Sequence, residues 1–284
     1  MKEPFELEWL GGPAEHHFRK ARPGTDDMPW GTLDVRAFPP ALVVAARRSW
    51  TEVALNEYRA AVMFTDVVRA LAVAKAPLDV VGMASDFLAD ECVHVELASR
   101  MAGELGGAVQ LEIDLDTFVT PPSRSLSPLQ RANEIVMCVS SIGEAFSGGT
   151  ALGSRNVASH PLPRAIYDRI LADEAHHRRL GALYFDWAGE RLDDAERRRL
   201  AKVAVGTLEG LAPFWRRSPR PLTEATEGGV TGEGWRVEDI HTLGWLESAR
   251  FAPLARKVVA EDILAPLARI GIVVSSEEQA RLLA

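Results

Sequence analysis

Two short stretches of the sequence repeat one arrangement of acidic and imidazole side chains. Residues 90–94 read DECVH and residues 173–177 read DEAHH, so both fit the pattern D-E-x-x-H. Random placement of this composition would give the pattern about 0.03 times in 284 positions. On a helix, a glutamate and a histidine three residues apart lie on one face and can hold one metal ion together. The repeat therefore predicts a metal site to which two helices contribute.

Each copy of the pattern supplies two predicted metal ligands and one supporting aspartate. The predicted ligands are Glu91, His94, Glu174 and His177. Asp90 and Asp173 are expected to accept the second ring N–H of a ligating histidine and so to fix its orientation. An alternative frame in the second copy pairs Asp173 with His176. A further E-x-x-H match, from Glu238 to His241, lacks the aspartate and is interpreted as a chance match.

A site for two metal ions needs one more carboxylate from each of two other helices. Glu57 lies on the apolar stripe of an earlier predicted helix and precedes Glu91 by 34 residues. Glu144 precedes Glu174 by 30 residues, whereas the competing Glu134 would precede it by 40. Two similar helical hairpins would give nearly equal spacings. The predicted ligand set is therefore completed by Glu57 and Glu144, with Glu134 as the alternative to Glu144.

The predicted ligands also indicate the kind of metal. Four carboxylates converging in an apolar core must be paired or neutralised, and two divalent cations would cancel their charge. Oxygen and imidazole donors suit iron or manganese, and the lack of a thiolate in the set argues against a structural zinc site. We expect two iron ions, with Mn/Fe and Mn/Mn pairs as alternatives.

Two tyrosines are the candidate catalytic residues. Tyr167 lies seven residues before Glu174, and Tyr184 lies seven residues after His177, on the same helical face. Their hydroxyls could hydrogen-bond a ligand or carry a radical. Packing in the core is the competing interpretation, and the one that is favoured for a tyrosine on an apolar face.

Apolar residues recur at helical spacing in four long stretches that would carry these ligands. The stretches cover about residues 41–71, 77–105, 128–148 and 163–189. Pro77 is expected in the first turn of the second helix, and Ser127 and Pro128 at the start of the third. Short connections join the first helix to the second and the third to the fourth, whereas about twenty residues join the second to the third. This order predicts an all-α four-helix bundle with a long crossover.

The chain outside the bundle divides into an arm and an extension. Residues 1–40 are rich in Pro, Gly and charge and are predicted to form an N-terminal arm on the surface. Residues 41–190 would form the metal-binding bundle. Residues 191–284 are predicted to form a C-terminal helical extension packed on the bundle, with Asp193 as the cap of its first helix.

Bulk composition limits the function classes. The net charge of −8, without a basic stretch, argues against a nucleic-acid partner. Cys92 and Cys138 lie within apolar helical patterns, which predicts no disulfide and favours a reducing compartment. The N-terminus lacks the apolar core of a signal peptide, and no uninterrupted apolar run is as long as a membrane span. We therefore expect a cytoplasmic protein without a membrane partner.

The ligand pattern and the helix order resemble those of the ferritin-like di-iron carboxylate superfamily, over about residues 45–190. The superfamily includes ferritins, rubrerythrins, acyl-carrier desaturases, arylamine N-oxygenases and the small subunits of ribonucleotide reductase. The two aspartates match the D-E-x-x-H form seen in bacterial multicomponent monooxygenases. The resemblance implies that six residues are metal ligands: Glu57, Glu91, His94, Glu144, Glu174 and His177. A Cys-x-x-Cys pair is missing from the sequence, and Ile170 stands where arylamine N-oxygenases have a further histidine, so no subfamily is assigned.

The resemblance and the enlarged chain imply an O₂-activating di-iron oxidoreductase, of monooxygenase or oxidase type, that acts on a small organic substrate. A reductase or a ferredoxin would supply electrons, and a homodimer is compatible with this function. Small residues of the third helix are expected to leave room for a substrate. These residues are Gly143, Ser147, Gly148 and Gly149. The alternatives are a ferroxidase or peroxide-scavenging protein, and a non-redox ligand-binding or structural protein.

Overall fold

Helices make up 74% of the structure, and its strands are few. The structure is a computed structural model that describes residues 2–114, 125–216, 225–226 and 229–284. The prediction of an all-α protein is therefore confirmed at the level of fold class.

The helices differ widely in length, and the longest follow the predicted stretches. They are α1 (Gly12–Ala21), α2 (Pro40–Val73), α3 (Leu78–Glu104), α4 (Pro128–Val136), α5 (Glu144–Val157), α6 (Pro161–Ala188), α7 (Asp194–Leu211), α8 (Pro213–Arg216), α9 (Val237–Thr242), α10 (Ser248–Val258), α11 (Ala265–Arg269) and α12 (Ser276–Leu283). Short 3₁₀ turns cover Val35–Ala37 and Gly189–Arg191. Two antiparallel strand pairs are β1 (Lys2–Pro4) with β2 (Glu112–Asp114) and β3 (Ala225–Thr226) with β4 (Val230–Thr231).

Local capping residues set where several helices begin. The Ser127 hydroxyl accepts the backbone N–H of Gln130, whose side chain accepts the Ser127 N–H in return, and this capping box starts α4. Asp193 caps α7 in a similar way through its side-chain oxygen. Both starts confirm the prediction. Pro77 was expected inside the first turn of α3 but lies at its N-cap, because its extended ψ of 140° delays the helix to Leu78.

The third long helix extends beyond the expected end at Gly148. It continues from α4 through a π-helical segment, Met137–Gly143, into α5 and ends at Val157. A π-helical turn holds more residues than an α-helical turn, so it rotates the side chains that follow it. A second π-helical segment, Val259–Leu264, joins α10 to α11 and packs beside α5. The periodicity of the sequence did not predict either segment.

The glycines of α5 are sites of close helix packing. A Cβ atom at Gly149 would lie 2.6 Å from a methyl carbon of Val258, which belongs to α10. A Cβ atom at Gly148 would lie 3.4 Å from Nε of Arg178 in α6. The Val258 side chain therefore already fills the space beside Gly149, whereas a Cβ atom at Gly148 would only reach ordinary contact distance from the exposed Arg178 side chain. The expectation that Gly149 leaves room for a substrate is wrong, and the expectation for Gly148 stays a prediction.

The four long helical stretches enclose two apolar cores. α2 packs along α3 and α5 packs along α6, while α6 also contacts α3 and α4 contacts α2. One core includes Trp50 and Leu97, and the other includes Phe64 and Leu180. On α2, α3 and α6, the change from one core to the other falls at the acidic residues that the sequence singled out.

Segments outside the four long stretches pack closely on them. Trp245, which precedes α10, has its ring centroid 5.1 Å from that of Trp50 in α2. The Trp50 indole N–H donates to the carbonyl oxygen of Leu243 at 3.1 Å. The N-terminal residues include a helix, α1, whose Arg19 forms an ion pair with Glu96 of α3 at 2.8 Å. The division into an arm, a bundle and an extension stays a prediction.

One stretch of the described residues, Pro128–Val157, is long and apolar enough to cross a membrane by length and composition alone. Fifty-six per cent of its most apolar window is buried inside the protein. It also carries Glu144 in the interior. These features are typical of the core helix of a soluble protein, and the cytoplasmic location stays a prediction.

The packing of α10 on α5 leads to a stability prediction. We expect Gly149→Ala to lower the free energy of unfolding by about 1–3 kcal/mol, because the added methyl group must displace the buried Val258 side chain. Chemical denaturation measures the change. Gly206→Ala in α7 is the matched control, because a Cβ atom there meets nothing within 4 Å. We expect this control to stabilise the protein by about 0.5–1 kcal/mol.

A double-mutant cycle isolates the contact. Combining Gly149→Ala with Val258→Ala should cost less than the sum of the two single changes, since truncation of Val258 vacates the space that the new methyl group needs, and the methyl group fills part of the resulting cavity. Strict additivity would show that Gly149 and Val258 are not in contact in solution.

Candidate metal centre

Six side chains from four helical stretches meet at one place in the interior. They are Glu57 of α2, Glu91 and His94 of α3, Glu144 of α5, and Glu174 and His177 of α6. These are the six residues that were predicted as metal ligands, and they are called the carboxylate–histidine cluster below. Both imidazoles are fully buried, and the Glu57 side chain is the most exposed of the six at 12%.

The donor atoms of the cluster form two overlapping groups. Within each group, all ligand atoms lie within 4.8 Å of one another. The first group is Glu57, Glu91, His94 and Glu174, and the second is Glu91, Glu144, Glu174 and His177. Glu91 and Glu174 belong to both. The arrangement can therefore hold a metal ion in each group, with the two central glutamates shared.

The inner atoms of the cluster have no hydrogen-bond partner among the described residues. These atoms are Oε1 and Oε2 of Glu91, Nδ1 of His94, Oε2 of Glu144, Oε2 of Glu174 and Nδ1 of His177. Nδ1 of His177 and Oε1 of Glu91 are 3.0 Å apart but do not form a hydrogen bond. Buried polar atoms are seldom left unpaired, because desolvation costs about 1–3 kcal/mol for each. A metal ion coordinated by these atoms would satisfy them, so the residues fit a metal site.

The two imidazoles have strongly shifted pKa values. Burial alone would lower the pKa of His94, but the Asp173 and Glu91 carboxylates outweigh it and raise the pKa to about 10. Burial would also lower the pKa of His177, and the carboxylates of Asp90, Glu144 and Glu91 raise it to about 11. Without metal, therefore, the protonated imidazoles partly balance the negative charge of the cluster.

The same crowding shifts the pKa values of the carboxylates in different directions. Burial, followed by the charge of Glu91, raises the pKa of Glu57 well above its ordinary value. Burial, followed by the charges of Glu144 and Glu91, does the same to the pKa of Glu174. Although burial opposes it, the closeness of His177 and His94 lowers the pKa of Glu91. The protein therefore crowds like charges here, which is a common property of functional sites.

Each supporting aspartate pairs with the histidine of the other D-E-x-x-H copy. Oδ2 of Asp173 lies 3.3 Å from Nε2 of His94, and Oδ2 of Asp90 lies 3.4 Å from Nε2 of His177. When a metal ion displaces the Nδ1 proton, Nε2 of the neutral ring still donates to the aspartate and Nδ1 presents its lone pair to the cluster. The sequence predicted the role of these aspartates without specifying which histidine each would serve.

Two arginines that the sequence pattern did not indicate contact these aspartates and, with them, form an outer layer around the cluster. Nε of Arg22 lies 2.8 Å from Oδ1 of Asp90, and Nε of Arg169 donates to Oδ2 of Asp173 at 2.8 Å. Arg169 precedes Asp173 by four residues on α6, a spacing that could have indicated the pair. Arg22 is distant from Asp90 in the sequence, and no local pattern indicates that contact.

The alternatives to the predicted ligands lie elsewhere. Glu134 forms an ion pair with Arg199 of α7 and is in neither donor group of the cluster. His176 is exposed, so it does not lie on the buried face of α6 that carries Glu174 and His177. The alternative pairing of Asp173 with His176 is therefore not formed on that face. His241 lies 2.8 Å from Glu247, outside the cluster.

The hydroxyl groups of the two candidate catalytic tyrosines donate hydrogen bonds to partners outside the cluster. The Tyr167 hydroxyl donates to the carbonyl oxygen of Gly244, and the Tyr184 hydroxyl donates to Oδ1 of Asn133. Both rings are buried in the apolar cores. These contacts favour the core-packing interpretation, and a radical role stays a prediction.

Two cavities lie near the cluster without being lined by any of its six side chains. The larger, of 910 Å³, lies between the N-terminal residues and the α2–α3 pair and is lined by Phe5, Phe18, Tyr58 and Cys92 among others. The smaller, of 520 Å³, lies between α6 and the two π-helical segments. Its lining includes Ser140, one turn before Glu144.

Comparison with known proteins adds no relative. No family model, no curated protein and no solved structure matches this chain. The fold and the site define the class: an all-α protein with a buried carboxylate–histidine cluster that can bind metal. The resemblance to the ferritin-like superfamily stays a prediction, which rests on the motif pair and the helix order.

The crowding of carboxylates predicts a trade between stability and metal binding. We expect Glu174→Gln to raise the free energy of unfolding of the metal-free protein by about 1–2 kcal/mol, because it removes one buried acid from a crowded cluster. With a divalent metal in excess the order should reverse, since only the wild-type protein gains fully from binding. Urea denaturation with chelator and with metal measures both effects.

The control for this variant is Glu52→Gln, because Glu52 pairs with Arg48 on the outer surface of α2. It should change the free energy of unfolding by less than about 0.5 kcal/mol in either condition. A loss of stability in Glu174→Gln with chelator present would show that the cluster is not strained by its own charges.

Proposed function

We propose that this protein is a ferritin-like di-iron oxidoreductase that activates O₂. The observation that carries the proposal is the set of buried, inward-facing carboxylate and imidazole atoms that have no hydrogen-bond partner among the described residues. Such a set needs cations, and two divalent ions would balance the four carboxylates. The helix order supports the ferritin-like assignment, since the long connection of residues 105–127 joins the α2–α3 pair to the pair that the α4–α5 stretch forms with α6.

In this proposal the ligands divide between two ions. Glu57 and His94 would hold one ion, Glu144 and His177 the other, and Glu91 and Glu174 both. Carboxylate and imidazole donors favour iron or manganese, so Mn/Fe and Mn/Mn pairs are the alternatives to two iron ions. The two cysteines do not belong to either group, which supports the choice against a thiolate-rich zinc site.

The iron pair, when bound, would supply the electrons that reduce O₂. The protein residues do the rest by positioning and by excluding water. Asp90 and Asp173 accept the Nε2 protons of His177 and His94, which holds each ring with Nδ1 directed inward. Complete burial of both rings keeps bulk water away from the two imidazoles. Repeated turnover would require an external electron donor such as a reductase or a ferredoxin.

The substrate distinguishes two versions of this function. A monooxygenase or oxidase needs a cavity beside the metals for a small organic molecule. The two cavities described above are not lined by any cluster residue. The second candidate is a ferroxidase or peroxide-scavenging protein, in which iron or peroxide is itself the substrate.

Anaerobic titration with ferrous iron, followed by admission of O₂, tests the proposal. We expect two ferrous ions to bind per chain and O₂ to be consumed in proportion to bound iron. Glu174→Ala should abolish both binding events, because Glu174 belongs to both groups, whereas Glu144→Ala should leave one. Glu52→Gln should bind two ions, because Glu52 lies outside the cluster.

Two outcomes would count against the proposal. Fewer than one metal per folded chain would exclude a dinuclear site, and stable binding of two ferrous ions without O₂ consumption would favour a non-redox protein. Excess ferrous iron and O₂, supplied to the loaded protein, separate the two redox versions. Accumulation of ferric iron well beyond two ions per chain, in a large assembly by light scattering, would identify the ferroxidase.

A further inference from the structure

Two adjacent residues of the N-terminal segment contact both halves of the outer layer of the cluster. Arg22 forms an ion pair with Asp90, and the carbonyl oxygen of Pro23 accepts a hydrogen bond from Nη1 of Arg169 at 3.1 Å. Arg169 in turn bonds Asp173. The N-terminal segment therefore contacts one arginine–aspartate–histidine series through the Arg22 side chain and the other through the Pro23 carbonyl oxygen.

The first series runs from the segment to the second donor group. Nε of Arg22 lies 2.8 Å from Oδ1 of Asp90, whose Oδ2 lies 3.4 Å from Nε2 of His177. Nη2 of Arg22 also donates to Oδ1 of Asp86, one turn earlier on α3, at 2.6 Å. The guanidinium thus contacts two aspartates: Nη2 hydrogen-bonds Asp86, whereas Nε forms an ion pair with Asp90 without the geometry of a hydrogen bond. Its side chain is only 17% exposed, so water competes weakly for these contacts.

The second series has the same order and ends in the first donor group. Nε of Arg169 donates to Oδ2 of Asp173 at 2.8 Å, and the same oxygen lies 3.3 Å from Nε2 of His94. The bond to Pro23 holds the other end of the Arg169 guanidinium. Both imidazoles are therefore oriented through an aspartate and an arginine that the N-terminal segment contacts.

We propose that residues 12–23 form a positioning strap that holds the two outer aspartates and, through them, the orientation of both imidazoles toward the metals. The inference rests on the proposed function for the metals themselves. It assigns Arg22 as a positioning residue for the ion bound by Glu144 and His177, and Arg169 for the ion bound by Glu57 and His94.

Charge explains why the strap matters. Asp90 and Asp173 are 13% and 17% exposed, so each could turn its carboxylate toward water if it lost the arginine. A turned carboxylate would leave the Nε2–H group of the histidine without its acceptor, and the tautomer and the ring orientation would no longer be fixed. The strap is itself fastened to α3 through the Arg19–Glu96 ion pair at 2.8 Å. Its position is therefore set independently of the two aspartates.

Cobalt(II) is the probe for the first test, because its visible absorption reports the geometry of its ligands. Arg22→Gln should weaken one of the two cobalt-binding steps, by about threefold to tenfold, below the 10–100-fold typical of residues that directly hold a ligating histidine. It should also alter the absorption of that ion alone. Arg169→Gln should affect the other step, so that the two variants differ in spectrum.

Arg36→Gln is the matched control, because Arg36 lies in the same N-terminal region and pairs with Asp34 at the surface. It should leave both binding steps and both spectra unchanged. Arg22→Lys should restore part of the loss, since an ammonium keeps the charge but cannot span Asp86 and Asp90 as a guanidinium does. Circular dichroism would verify that all four variants are folded.

Hydrogen exchange on the wild-type chain provides a test that needs no variant. If the strap orients the metal ligands, bound metal must in turn stabilise the strap, because coupling between two sites is reciprocal. Amides of α1 and of residue 22 should therefore exchange more slowly when cobalt is bound, while those of α12 should not change.

The outcomes separate this inference from the proposed function. If wild-type protein binds no divalent metal, the proposed function fails. If it binds two ions, but Arg22→Gln behaves like Arg36→Gln or metal leaves exchange in α1 unchanged, the strap is overturned and the metal site stands.

Discussion

The burial of four carboxylates and two imidazoles in one small volume is the constraint on which this structure depends. An apolar interior does not tolerate like charges unless they are neutralised, and here the shifted pKa values of His94 and His177 show the response of the protein to that demand. The two apolar cores meet at this cluster on α2, α3 and α6. The polar layer thus divides the core at the place where the four helical stretches must be held in fixed positions.

The outer contacts follow from the same constraint. A buried imidazole with one nitrogen directed into the cluster must satisfy the other, and Asp90 and Asp173 do so. Those aspartates are negative and partly buried, and so need cations of their own, which Arg22 and Arg169 supply. Successive layers of opposite charge therefore extend from the cluster to the N-terminal segment.

The sequence predicted what short-range geometry decides. The Glu91–His94 spacing places both side chains on one helical face, and the Ser127–Gln130 box starts α4 as expected. Contacts between distant parts of the chain were not predictable in this way. The pairing of Arg22 with Asp90 depends on the path of the N-terminal segment. The expectation for Gly149 was wrong, because a missing side chain indicates that space is available but not which neighbour fills it; Val258 does.

The exchange of partners between the two D-E-x-x-H copies ties α3 to α6 at two points. Each aspartate sits on one of these helices, and the histidine that it serves sits on the other. A slip of α6 along α3 by one turn, about 5.4 Å, would separate both pairs together. The native alignment of the two helices and the orientation of the imidazoles therefore depend on the same contacts. A compact form of the chain with the two helices misaligned would lack both.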